Sequence, residues 1–498
     1  MTYVEYKQLN PFQRFAYNFK KFFMSIPGAV GNFFKAIGTA IVKFFVGIGK
    51  GFKNYGVTFA KGDWATKLSY LIFGVGDVHK GKYYKGILFF LVEVLYVLYM
   101  IFFGWGWIKD FPTLGTVAQQ TVYDEMGFPQ TILGDNSMLI LLYSTLTIII
   151  TAVVFVAYIQ NIKDAYRHQI MRANGEQPTS LKHDAQEFLD GKYHITLLSF
   201  PVLMISIFNI LPLIFMILIA FTNYSREHFT LFDWVGLQNF TELFNFIDSP
   251  QKANTFIGVA GWTLIWAVVA TFSNYILGMV VALMINKKGI KLKSLWRTLF
   301  VITIAVPQFV SLLLMNQMLQ TNGAFNILLG YLNGGVNPKI AFLSDNVWVA
   351  RLTVMIVNCW VGIPYTILSM SGILMNIPED LYESARIDGA SPVKTFTAIT
   401  LPYMIFVTTP QLITQFVGNI NNFNVIFLLS NGGPTTTEYF GAGKTDILVT
   451  WLYKLSMGDK QDYGLASAIG ILVFIICATL SLIVYNNSKS MKDEEAFS

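Results

Sequence analysis

The stretch NIPEDLYESARIDGASPVKTFTAITLP, residues 376–402, is polar and heavily punctuated, and it lies between two long apolar runs. Its local chemistry predicts a short helix, a sharp turn and a second helix. Pro378 suits a first helical position, and Glu379 and Asp380 complement the positive end of the helix dipole. Gly389 can take the left-handed conformation that ends a helix. Ser391 then caps the next helix, with Pro392 at its first position. A capped elbow of this kind, projecting from a chain of apolar helices, is a candidate docking surface; a well-capped loop with no partner is the plainer alternative.

Outward from the elbow the chain turns apolar. Of its 498 residues, 54% are hydrophobic, 15% aromatic and only 13% charged, and the mean hydropathy is +0.51. Soluble domains carry about a quarter charged residues, and several runs here exceed the roughly 18 apolar residues that a soluble core element seldom needs. A soluble α/β enzyme is excluded. Eight spans are expected, at roughly 86–108, 138–160, 195–223, 256–285, 298–319, 347–374, 401–429 and 464–485, with internal prolines such as Pro201, Pro364 and Pro410 tolerated in a helix bundle. Cys359 and Cys477 both fall in spans and offer neither a disulfide framework nor a metal site.

Charge sets the expected orientation. With the N-terminus inside, 27 of the 35 lysines and arginines lie on the cytoplasmic side, which places both termini there. No cleaved signal peptide is expected from MTYVEYKQLN. Phenylalanine pairs at Phe22–Phe23, Phe33–Phe34 and Phe44–Phe45 recur every 11 residues, close to three helical turns, with Lys20, Lys21, Lys35, Lys43, Lys50 and Lys53 beside them. Residues 1–80 thus read as a basic amphipathic segment on the inner membrane surface, against membrane lipid. The plainer alternative is a basic tail. Residues 81–190 read as two additional spans and a cytoplasmic loop.

A polar stripe crosses the seventh span. Gln411, Gln415, Asn419 and Asn422 are spaced four, four and three apart, which keeps them on one helical face. Amides at bilayer depth need partners inside the bundle or a polar cavity. Asn421 and Asn424 add polarity, and Phe416 and Phe423 add rings. Amides beside rings suit a sugar, whose hydroxyls need hydrogen bonds and whose C–H faces stack on aromatic faces. On the sixth span Asn358, Val361 and Tyr365 share one face at steps of three and four.

These segments carry a resemblance. Glu383-Ser384-Ala385, Gly389, Ile399 and Leu401-Pro402 match the full spacing of the EAA motif of ABC import permeases, with Ser384 the one departure. VNCWVGIPY, NINNFNVIFLLSNGGP and KTDILVTWLYKL resemble the larger permease subunit of maltose/maltodextrin importers over about 195–490. The short loop at 224–254, with no inserted domain, resembles the Gram-positive form. The resemblance implies an all-α membrane protein of about eight transmembrane helices with the six-helix core of an ABC type I importer permease, residues 191–490. It implies a multi-pass protein of the bacterial plasma membrane that moves maltodextrin-type oligosaccharides inward. The elbow, 376–402, would be the coupling helix, with Glu383, Ser384, Ala385, Asp388 and Gly389 docking an ATPase. Asn358, Val361, Tyr365, Gln415, Asn419, Asn422 and Asn424 fall where that family lines its sugar site, although Gln415 and Asn424 differ from the best-known maltose permease. The implied partners are a second homologous permease, two ATP-binding subunits and a lipid-anchored sugar-binding protein. No nucleic acid partner is expected, and no cofactor or catalytic residue in this subunit: ATP and Mg belong to the ATPase subunits.

Two features point elsewhere. Gly441-Ala442-Gly443-Lys444-Thr445 resembles the end of a phosphate-binding loop, but Glu438 stands where the earlier glycine belongs. Glu93, inside the first span, is either a proton relay or a hydrogen-bonded structural acid. An ion-driven secondary transporter, the rival class, calls for internal repeats or paired buried acids, and neither is found.

Overall fold

Seven helices of the computed structural model are long and apolar enough to cross a membrane, or eight if a bent pair counts as one span. The structure describes residues 51–487, with breaks at 124–125, 127, 177–181, 183–185, 187–188 and 288, and scattered positions from 28 to 50. Residues 1–27 of the predicted amphipathic segment, and every member of its phenylalanine pairs except Phe45, lie outside the described residues. Contacts divide the chain into two units, 35–239 and 240 onward.

The first unit holds three spans, α1 (Tyr83–Ile108), α2 (Ser137–Ala173) and α3 (Tyr193–Ile219). A short antiparallel hairpin, β1 (Gln120–Tyr123) and β2 (Pro129–Ile132), lies between the first two. Hydroxyls pair α1 with α2: Tyr96 meets Thr151 at 3.1 Å and Tyr99 meets Thr147 at 2.9 Å. Ahead of α1, the short helices Trp64–Leu68 and Val75–His79 fold onto the end of α2. The crossing is glycine-dependent, because a Cβ on Gly86 would meet the Gly74 carbonyl oxygen at 2.5 Å. Lys80 is buried there, yet its ammonium donates to Asp63, Thr66 and the Ala165 carbonyl. Such partners are what a buried charge requires. His168 sits 2.6 Å from Asp77, and Glu93 accepts from the Phe73 amide at 2.9 Å. Glu93 therefore has a structural partner within its own unit.

The second unit is built on α4 (Pro250–Asn286), which packs along α8 (Val347–Met375) and α11 (Leu401–Ile420). Between α4 and α8 lie α5 (Lys293–Ile302), α6 (Gln308–Met318) and α7 (Ala324–Leu332). After α8 come the elbow helices α9 (Glu379–Ile387) and α10 (Pro392–Thr395), then α11, α12 (Phe423–Ser430), α13 (Leu448–Met457) and α14 (Tyr463–Asn487). Small residues let the helices approach: a Cβ on Gly278 of α4 would meet Thr366 of α8 at 2.5 Å. Trp266, fully buried, donates its indole N–H to the Asn419 carbonyl at 3.0 Å and ties α4 to the end of α11.

Two expected spans are broken. The fifth, expected unbroken over 298–319, turns through 86° between its α5 and α6 segments. Pro307 is the cause: it lacks an N–H and drives Val306 to extended backbone, φ −78° and ψ 123°. The seventh is interrupted at Asn421–Asn422, where Asn422 leaves helical geometry and caps α12 by accepting from the Val425 amide.

Candidate functional site

The elbow folds as its residues dictate. Gly389 adopts φ +65°, and α9 ends in a Schellman motif. The Ala390 amide donates to Ala385 at 2.9 Å and the Gly389 amide to Arg386 at 3.0 Å, satisfying carbonyls that the helix end would orphan. Ser391 accepts from the Lys394 amide, and Pro392 opens α10. Pro378 sits one residue earlier than expected, in the capping position before Glu379. Among the candidate docking residues Glu383, Ser384, Asp388 and Gly389 are exposed. Ala385 is buried under the turn, where its carbonyl anchors the cap. Sequence reasoning missed two apolar neighbours, Ile387 and Val393, exposed at 86% and 72%. Branched side chains this open on a rigid turn suit burial against a partner.

At mid-depth, three of the seven candidate sugar residues converge. Asn422 Nδ2 lies 3.5 Å from Asn358 Oδ1 and 3.4 Å from Asn419 Oδ1, while Asn419 Nδ2 donates to Thr271 of α4 at 2.9 Å. Val361 and the half-exposed Tyr365 line a cleft with Thr303, Gln308 and Ser311. That second wall comes from the broken fifth span, and no periodicity in its sequence marks it. Gln415 is half-buried and Asn424 exposed; neither has a hydrogen-bond partner among the described residues. Gln411 of the stripe accepts from Ser369 of α8 at 2.7 Å and serves as a helix clamp.

The phosphate-loop look-alike is spent on its own fold. The Gly443 amide donates to Asp446, the Lys444 amide to Pro434 and the Thr445 amide to Gly432. A phosphate cradle needs these N–H groups free. The Lys444 ammonium pairs with Glu438 at 2.6 Å, the residue that replaces the motif's glycine. A Lys444→Ala variant is expected to leave uptake and ATP consumption by the assembled transporter within twofold of wild type. A collapse of ATP consumption would contradict this.

A bundle of apolar spans with a capped elbow between two of them and a buried amide cluster has the architecture of a membrane translocation subunit. Residues 274–493 match the family of binding-protein-dependent transport system inner membrane components. The maltodextrin transport system permease protein MdxF of Bacillus subtilis (strain 168) is 34% identical over 434 residues, which cover 85% of this chain and 95% of that one. The galactooligosaccharides transport system permease protein GanP of the same strain is 34% identical over 435 residues, covering 85% and 97%. A bacterial alginate ABC transporter, solved in complex with an alginate pentasaccharide-bound periplasmic protein, shares the fold at TM-score 0.50 and 23% identity, over 62% of this chain and 96% of that one. The chain belongs to this family of ABC importer permeases. It is a multi-pass membrane protein and a translocation subunit, with ATP hydrolysis in a separate subunit.

Proposed function

We propose that the chain passes maltodextrin-type oligosaccharides inward across a bacterial plasma membrane, with both termini cytoplasmic. The observation that carries this reading is the meeting of Asn358, Asn419 and Asn422 about two helical turns along α8 from the aromatic wall at Tyr365. Amides give donors and acceptors to hydroxyls, and the ring gives a face to the sugar's C–H side. The 34% identity to a maltodextrin permease supports the substrate class. Two ATP-binding subunits, holding ATP and Mg, would dock on Glu383, Ser384, Asp388 and Gly389 here and on the equivalent elbow of a second permease. A lipid-anchored binding protein would deliver the sugar from outside.

The test is uptake of labelled maltotriose into proteoliposomes holding all four subunits and the binding protein. Asn419→Leu is expected to cut uptake about tenfold, the effect of one lost buried hydrogen bond plus its stranded partner, with assembly intact. Asn422→Ser keeps the cap on α12 but withdraws the amide from Asn358, and is expected to lose uptake with unchanged thermal stability. Equal loss of assembly and uptake would mark a structural clamp instead. Uptake driven by an ion gradient without ATP would sink the whole reading.

A further inference from the structure

Two amide atoms in the second unit break the rule that buried polar groups find partners. Asn274 Oδ1 on α4 and Asn358 Nδ2 on α8 have none, although the two residues are only 3% and 4% exposed. Their surroundings are otherwise satisfied: Asn419 reaches Thr271, and Cys359 donates to Ser273 at 3.2 Å. The two lie on one parallel seam. Gly278 faces Thr366, and one turn along, Gly362 faces Asn274, whose carboxamide fills the space a Cβ on Gly362 would need. Asn358 is a further turn along α8, and Val361, beside Gly362, lines the cleft.

An unmade hydrogen bond costs more than a made one returns, so a fold that leaves two open about a helical turn apart on one seam carries a local penalty. A lone acceptor and a lone donor are complementary to a hydroxyl, which donates and accepts at once. We propose that Asn274 is a specificity-determining residue of the translocation site, its carbonyl accepting from a sugar hydroxyl while the Asn358 amide donates to the sugar. Gly362 is then required to leave room for the Asn274 carboxamide. This inference rests on the sugar-site reading above and adds a residue from a helix that the polar stripes do not reach.

The experiment uses the complete importer in ATP-loaded proteoliposomes with maltotriose, comparing Asn274→Ala and Asn274→Asp with Asn419→Leu as the reference. Asn274→Ala is expected to lower sugar taken up per ATP hydrolysed about tenfold, with thermal unfolding and ATP hydrolysis unchanged. Asn274→Asp, held in its neutral form by burial without a cationic partner, keeps the acceptor oxygen and is expected to stay within about threefold of wild type. Wild-type uptake by Asn274→Ala alongside an impaired Asn419→Leu would overturn the proposal and leave a buried water as the occupant. Parallel loss of assembly, or equal loss by Asn274→Asp, would also overturn it. Wild-type uptake by both Asn274→Ala and Asn419→Leu would instead bring down the sugar site itself.

Discussion

A Gly389→Val variant is expected to insert and fold its spans normally yet lose ATP-driven transport at least about twentyfold. At φ +65° a β-branched residue meets a backbone conformation that costs roughly 1–3 kcal/mol. A Cβ at Gly389 would touch nothing within 4 Å, so the strain stays in the turn and is not passed to the bundle. Relief comes from unwinding the Schellman motif, which frees the Ala385 and Arg386 carbonyls and displaces the exposed Ile387. The docking face is then lost while the membrane core survives. Co-purification of the ATP-binding subunits and the ATPase rate of the complex check this. Gly389→Asn, which tolerates the left-handed region, is expected to recover much of the loss. Wild-type transport by the valine variant would remove the elbow from the docking surface.

The elbow was legible because every signal in it is local. Gly389, Ser391 and Pro392 act on backbone within four residues, and the structure places them as that chemistry requires. Span positions were legible for the same reason, since hydropathy needs no tertiary information. The midmembrane cluster was only half legible. Spacing put Asn419 and Asn422 on one face by assuming an unbroken helix, and the two do meet, although the helix breaks at Asn422, which caps α12. Asn274 carried no signal: a single amide in a 37-residue apolar helix becomes notable only when Gly362 is seen against it. Lys80 and His168 were equally silent, because their burial depends on a crossing between segments about 90 residues apart.

Gly432→Ala is expected to be strongly destabilising to the second unit. Gly432 has φ +73°, and its Cβ would overlap the Asp446 carboxylate. That carboxylate cannot step aside. It accepts from the Gly443 amide at 2.6 Å, from Thr450 at 2.8 Å and from the Lys454 ammonium at 2.7 Å, and it is essentially fully buried. Displacing it disturbs all three hydrogen bonds at once, and each buried bond left unmade costs about 1–3 kcal/mol. The contrast with Lys454→Met separates the causes. Burial pushes the Asp446 carboxyl above the usual carboxylate range, against the pull of Lys454. Without the lysine it can take up a proton and stay in place, so Lys454→Met is expected to cost less than Gly432→Ala. The loop from 431 to 446 matters beyond its own stability: the Trp262 indole donates to Thr445, and Arg351 of α8 donates twice to the Lys444 carbonyl. Its collapse would release α4 and α8 from each other at the end nearest Asn358. Gly432→Ala is therefore expected to lower the melting temperature, open residues 431–446 to protease and reduce uptake together. Lys454→Met should shift the first and spare most of the last. Equal effects of the two variants would show that the ion pair, not the close backbone approach at Gly432, holds the loop.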